Sequence, residues 1–192
     1  DTKYTWDLDE KNETKNIQEI IDKKALNFSK GEGNLRYINL SKDEILDLVK
    51  ENKMNHIVFT GGEPCIYDLR EITEALHDKG YTTQIETSGT FEIKTSDKTW
   101  VTVSPKIGKS IQGGYEVLDS SYKRANEIKY PVGKQKDIDH LKEIVELHDL
   151  SKKTIWLQPL SVSEKATELC IEKAKENNWR ISIQAHKYIN VR

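Results

Sequence analysis

From about residue 40 to residue 184, short apolar runs alternate with apolar residues at helical spacing, and this alternation limits the fold more than any other feature. His56–Thr60, Tyr81–Glu86, Trp100–Ser104, Ala125–Tyr130, Thr154–Gln158 and Trp179–Gln184 read as strands. Between them, Leu69, Ile72, Ala75 and Leu76 form a helical stripe closed by Gly80, and Leu141, Ile144, Val145 and Leu147 form another. Ser163–Glu176 reads as a helix, and Ile45, Leu46, Leu48 and Val49 follow a capping box at Ser41-Lys42-Asp43-Glu44. Strands separated by helices pair in parallel through right-handed crossovers, so the chain is expected to build a parallel α/β sheet. Residues 9–36 show no strong period; Asn16–Leu26 reads as a surface helix and Ser29–Asn34 as a Gly-containing loop.

A chain of 192 residues suffices for one domain, expected over 1–192. Its 30 basic and 32 acidic residues nearly cancel, which argues against a nucleic-acid backbone as main partner. No apolar run approaches a membrane span and no signal-peptide pattern opens the sequence. Cys65 and Cys170 stand far apart and form no disulfide framework or Cys-rich metal motif, so a cytoplasmic setting is expected. The sequence opens on polar residues without an initiator Met, which suggests a processed or truncated start.

A parallel α/β sheet presents its ligand site at the carboxyl ends of its strands, in open sheets and barrels alike. Five polar or Gly-rich clusters fall at those ends: Thr60-Gly61-Gly62-Glu63, Glu86-Thr87-Ser88-Gly89, Ser104-Pro105-Lys106, Gln158-Pro159-Leu160-Ser161 and Gln184-Ala185-His186-Lys187. In the first, the glycines permit close backbone approach and positive φ, Glu63 can accept from an ammonium group, and Pro64 suits a first helical turn. A plain strand-to-helix turn would look the same. Lys106 reads either as a partner for a ligand carboxylate or as a solvated surface lysine. Gln158 and the carbonyls beside it can read a heterocycle edge, or simply lead into a helix capped by Ser161 or Ser163. A lone histidine such as His186 is more often structural than a ligand contact, and His56, His77, His140 and His148 read as structural. The two cysteines read as small buried hydrophobes, Trp6 and Trp100 as residues able to stack on a purine, with core packing preferred for Trp100.

Taken together, the clusters resemble one family. Thr60-Gly61-Gly62-Glu63-Pro64 is similar to the GGEP motif of radical S-adenosylmethionine (SAM) enzymes, which alone indicates only that superfamily. Ile85-Glu86-Thr87-Ser88-Gly89-Thr90, Trp100–Lys106, Gly113-Gly114-Tyr115-Glu116, Asn126-Glu127-Ile128-Lys129 and Gln184–Tyr188, in this order and spacing, resemble 7-carboxy-7-deazaguanine synthases of the proteobacterial type. The resemblance covers nearly the whole chain except about 8–37, which it makes a variable insertion. Asp1-Thr2-Lys3-Tyr4-Thr5-Trp6 is similar to the residues that directly follow the last cysteine of the family's CxxxCxxC-type loop.

The resemblance implies an incomplete (β/α) partial barrel of the radical SAM type, here without its N-terminal strand and cluster loop. It places the [4Fe–4S] cysteines upstream of Asp1, so the 192-residue chain taken literally is expected not to hold a cluster or act alone. The implied reaction is conversion of 6-carboxy-5,6,7,8-tetrahydropterin to 7-carboxy-7-deazaguanine and ammonia, a step toward queuosine, with SAM, a [4Fe–4S] cluster and Mg²⁺. Residue by residue, the implied SAM contacts are Asp1, Gly62, Glu63 (at the amino group), Ser104, Pro105, Lys106, and Gln158, Pro159, Leu160 and Ser161. Thr60, His186 and the terminal carboxylate of Arg192 match substrate contacts, and Thr2 matches the Mg²⁺ ligand. Ala185 departs from the family's Gln-Thr-His string. The implied partners are a reduced pterin, a flavodoxin- or ferredoxin-like electron donor and a second copy of the chain, with neither nucleic acid nor membrane. Two other readings stay open: another GGEP-containing radical SAM enzyme such as an activase, and a non-catalytic module that binds a nucleoside or a protein.

Overall fold

In the computed structural model, residues 38–106, 115–160 and 163–185 are described. The chain divides after Asn55 into two compact units. The segments read above as a surface helix and a loop before residue 37 lie outside the described residues.

The described part of the first unit holds helix α1 (Lys42–Glu51). Its capping box forms as the sequence predicts: the Glu44 amide donates to Ser41 Oγ at 3.3 Å, and the Ser41 amide donates to Glu44 Oε2 at 2.7 Å. Leu46 and Val49 are its buried residues.

The second unit is a six-stranded sheet: β1 (His56–Phe59), β2 (Thr82–Thr87), β3 (Trp100–Val103), β4 (Glu127–Val132), β5 (Thr154–Pro159) and β6 (Arg180–Ile181). The strands lie in sequential order and every neighbouring pair is parallel. Helices α2 (Arg70–Asp78), α3 (Asp119–Arg124), α4 (Gln135–Leu147) and α5 (Glu164–Asn177) fall between strands. Crossovers of one hand between strands in sequential order carry the helices to one face of a sheet. The register agrees: Ile85, Val101, Val103, Ile128, Tyr130, Val132, Ile155 and Leu157 share that face and are almost fully buried. They form one core with Ile138, Leu141 and Ile144 of α4 and Cys170 and Ala174 of α5. Among the described elements β1 pairs only with β2 and β6 only with β5, so the arrangement is an unclosed part of a (β/α) barrel.

Four sequence expectations change. Strand β4 runs through Pro131 to Val132 instead of ending before the proline. Its pairing with β3 stops at Ile128, because β3 ends at Val103, so one side of β4 has no ladder at that height for proline to break. β6 is two residues long rather than six. As the last strand of the sheet it has a partner on one side only, and Ile183 beyond it is 66% exposed, with little burial to hold an extension. Helix α3 was not apparent from periodicity, since Asp-Ser-Ser-Tyr-Lys-Arg carries no apolar stripe; it is anchored by Tyr122, whose ring stacks on His148 at 4.2 Å. Trp100 is not a core residue: it opens β3 on the face opposite the helices, in register with Gln84, and is 44% exposed.

Candidate functional site

Because all six strands run the same way, their carboxyl ends share one edge of the sheet, the edge at which parallel α/β proteins bind ligands. The loops leaving β1, β2, β3 and β5 begin with four of the five clusters singled out from sequence. The turn after β1 carries Thr60, exposed, then Gly61 at φ 126°, a conformation L-residues rarely adopt. A Cβ built on Gly61 would meet nothing within 4 Å, so its main chain borders open space. Pro64 then opens a 3₁₀ turn (Pro64–Ile66), as expected.

Glu63 caps that turn and is buried, 5% exposed. Its Oε1 accepts from the Cys65 amide at 3.0 Å and from Thr87 Oγ1 at 2.6 Å. Its Oε2 accepts from the Ser88 amide at 2.8 Å and from Ser88 Oγ. The loop after β2 is further pinned. The Gly89 amide donates to Thr87 Oγ1 at 3.0 Å, and Ser88 Oγ lies 2.9 Å from Thr90 Oγ1. The loop after β3 joins the same edge through the Ser104 amide, which donates to the Thr87 carbonyl at 2.7 Å.

On the sheet face opposite the helices, side chains are polar where a sheet covered on both sides would be apolar. Lys129 Nζ lies 2.7 Å from Glu86 Oε2, a pair drawn from β4 and β2 across β3. Lys106 is half-buried, and burial pulls its ammonium below the ordinary lysine range; Lys129 adds to this, while Glu86 and Glu63 oppose it. The fully solvated surface-lysine reading of Lys106 therefore gives way to a partly desolvated cation. Toward the strands' amino ends a second layer crosses the whole sheet. His56 Nε2 lies 3.2 Å from Gln84 Oε1, Gln84 Nε2 donates to Thr102 Oγ1 at 2.9 Å, and Thr102 Oγ1 donates to Glu127 Oε1 at 2.7 Å. Trp156 Nε1 donates to Glu127 Oε2 at 2.9 Å, and the Arg180 guanidinium sits 5.3 Å from the Trp156 ring centroid. This belt was missed from sequence, although its signal is there: each member alternates with an apolar residue along its strand.

A further loop was also missed. After β4, buried Asp137 accepts from the amides of Gly133 and Lys134 at 2.8 and 3.0 Å and shapes the chain as it enters α4. The cue was an acid three residues past a Gly-Lys pair at a strand end.

Of the residues named from sequence, Thr60, Gly62, Glu63, Ser104, Pro105, Lys106, Gln158, Pro159 and Leu160 all stand at the carboxyl end of the sheet or in the loop just beyond it. Asp1, Thr2, Trp6, Ser161, His186 and Arg192 lie outside the described residues. Cys65 and Cys170 are buried free thiols, as expected. Burial pushes the Cys65 thiol up to about 12 and that of Cys170 up to about 11, as for small buried apolar side chains. No group of three His, Cys, Asp or Glu fit to hold a metal exists among the described residues. Nor is any helix among them long and apolar enough to cross a membrane.

No family model matches the sequence. Comparison with curated proteins finds the chain 43% identical over 197 residues to the 7-carboxy-7-deazaguanine synthase of Escherichia coli strain K12, covering all of this chain and 82% of that protein. It is 42% identical over 193 residues to the enzyme of the same name from Buchnera aphidicola, covering 83% of it. It is 32% identical over 155 residues to the one from Synechocystis, covering 78% of this chain and 68% of that protein. Among solved structures it resembles the crystal structure of QueE from Escherichia coli, with a TM-score of 0.81 and 41% identity over 96% of this chain and 78% of that one.

Proposed function

The chain belongs to the 7-carboxy-7-deazaguanine synthases, and from this premise we infer that it converts 6-carboxy-5,6,7,8-tetrahydropterin to 7-carboxy-7-deazaguanine and ammonia as a radical SAM carbon–nitrogen lyase. The observation that carries the reading is the shared edge. Four loops, each with the residues that resemble the family's, leave the parallel strands β1, β2, β3 and β5 at the same edge of an unclosed barrel. Neither the activase reading nor the non-catalytic one draws support from any particular contact.

The described residues suit SAM as a ligand. SAM carries an ammonium, a carboxylate, a ribose and an adenine. Against these the edge offers exposed main chain at Gly61, the Ser104–Pro105–Lys106 turn, and the amide of Gln158 with the carbonyls of Pro159 and Leu160. We assign the methionine end to the turn carrying Gly62 and Glu63, and the remainder to Ser104–Lys106 and Gln158–Ser161, with Asp1 beside it. Thr60, His186 and the Arg192 carboxylate are assigned to the pterin, and Thr2 to Mg²⁺. Bound SAM, reduced through a [4Fe–4S] cluster, supplies hydrogen-abstracting radical chemistry. The described residues do not fit the cluster itself, since the sequence has two cysteines, both buried and on separate elements, fewer than the thiolates a [4Fe–4S] cluster takes. What they supply is position: the charges of Glu86, Lys129 and Lys106 border the open face, and the Glu127 belt underlies it.

The proposal extends to residues 1–192 as one radical SAM core with a variable insertion over 8–37. It also includes a flavodoxin- or ferredoxin-like electron donor, a homodimer and a cytoplasmic setting. The full-length protein, reconstituted without oxygen and given SAM, Mg²⁺, a reductant and 6-carboxy-5,6,7,8-tetrahydropterin, should form 7-carboxy-7-deazaguanine. Failure to form it rejects the activity. In the same assay Thr2→Ala should weaken the Mg²⁺ response more than SAM binding. An unchanged Mg²⁺ response removes Thr2 as ligand.

A further inference from the structure

The carboxylate of Glu63 has a different task from the one its motif suggests. A carboxylate offers about four lone-pair sites. Here each oxygen already takes two donors: Cys65 N and Thr87 Oγ1 on one, Ser88 N and Ser88 Oγ on the other. The side chain is buried, so an incoming ammonium would have to displace donors already seated on a desolvated carboxylate. Two of the donors are main-chain amides on different loops, one in the 3₁₀ turn after β1 and one in the loop after β2. We propose that Glu63 is a positioning residue: its carboxylate clamps the Gly61–Gly62 turn to the Thr87–Ser88 loop, and sets where the main chain of both loops meets SAM without touching SAM itself.

This inference rests on the reading of the edge as a SAM site, and Thr87 separates the two claims. Thr87 shares the helix-side face with Ile85 and is 3% exposed, so its hydroxyl cannot reach a ligand on the open side. Thr87→Val keeps its volume but removes both the donor to Glu63 and the acceptor of the Gly89 amide, so Ser88→Ala, which leaves the Gly89 amide its partner, serves as the independent check. SAM affinity of the full-length, cluster-containing protein is measured by calorimetry, and amide hydrogen exchange at Cys65 and Ser88 is measured alongside. Under the clamp, Thr87→Val and Ser88→Ala each weaken SAM binding by about tenfold, the scale of one hydrogen bond to a charged group. Both also speed exchange at the two amides, and Thr87→Ser restores both readouts. Adding Glu63→Gln to Thr87→Val then costs less than Glu63→Gln does alone. Wild-type affinity in Thr87→Val and Ser88→Ala, with loss only in Glu63→Gln, means that the carboxylate meets the ammonium directly and overturns the clamp. If the wild-type protein binds no SAM, the reading of the site falls. Exchange at Cys65 and Ser88 still decides the clamp, which is overturned if Thr87→Val leaves both rates unchanged.

Discussion

Gly89 stands directly after the clamp, and replacing it by alanine should be among the most damaging single-methyl changes in the protein. Two terms add. At φ 79° the residue is left-handed, which costs a non-glycine residue about 1–2 kcal/mol. The new Cβ would also lie 2.9 Å from Val103 Cγ1, 3.0 Å from Val117 Cγ1 and 3.2 Å from the Ser121 Cβ. Val103 and Ser121 are buried, so the methyl cannot be relieved by swinging a flexible end aside, and overpacking of this kind costs about 1–3 kcal/mol. The lower entropy of the unfolded alanine chain returns about 0.4–1 kcal/mol. The net loss is about 1–5 kcal/mol with a midpoint near 3, or roughly 6–12 °C in Tm at that midpoint for a domain this size. Gly80 provides the internal control. Its φ of 84° is nearly the same, but a Cβ there would meet nothing within 4 Å, so Gly80→Ala should lose only about 1 kcal/mol. Urea unfolding followed by tryptophan fluorescence compares the two. Equal losses in both variants would refute the steric part of the reasoning, and a loss below about 1 kcal/mol in Gly89→Ala would refute all of it.

Three further outcomes are expected. His77 bonds to Ser96 Oγ at 3.0 Å and Thr83 Oγ1 at 2.9 Å, and burial followed by nearby Lys98 holds its pKa below the ordinary histidine value, with Asp78 opposing. The unfolded chain then binds the proton more tightly than the folded one. Stability from this site is therefore complete above about pH 6.5 and is lost as pH falls toward the depressed folded value; His77→Gln should flatten that slope in urea titrations across pH. Glu127→Ala strips the acceptor from Thr102 Oγ1 and Trp156 Nε1 and should cost about 1–3 kcal/mol, with a shift in Trp156 emission; unchanged emission would show that the belt does not hold Trp156. Ser163→Ala removes the cap that accepts from the Ala166 amide at 3.4 Å and should lower stability by about 1 kcal/mol in urea unfolding, while Ser163→Asp should retain most of it.

Much of this architecture is local and was legible in the order of residues. Apolar spacing marked the strands and helices, Ser41 and Glu44 marked a helix start, and the Gly61–Gly62 pair marked a turn, because periodicity and turn chemistry act within a few residues. Given alternating strands and helices, the parallel pairing and the common edge follow from chain connectivity, so most of the candidate site could be named before any coordinates. Tertiary structure alone decided what those residues touch. Glu63 meets partners 24 and 25 positions away, and Lys129 meets Glu86 across 43. Lys106 became a half-buried cation, Pro131 stayed inside a strand, and Trp100 turned to the open face. Each of these depends on which strands are neighbours, in what register, and where one strand ends beside another. Those quantities are set by packing the whole sheet, and no short stretch of sequence contains them.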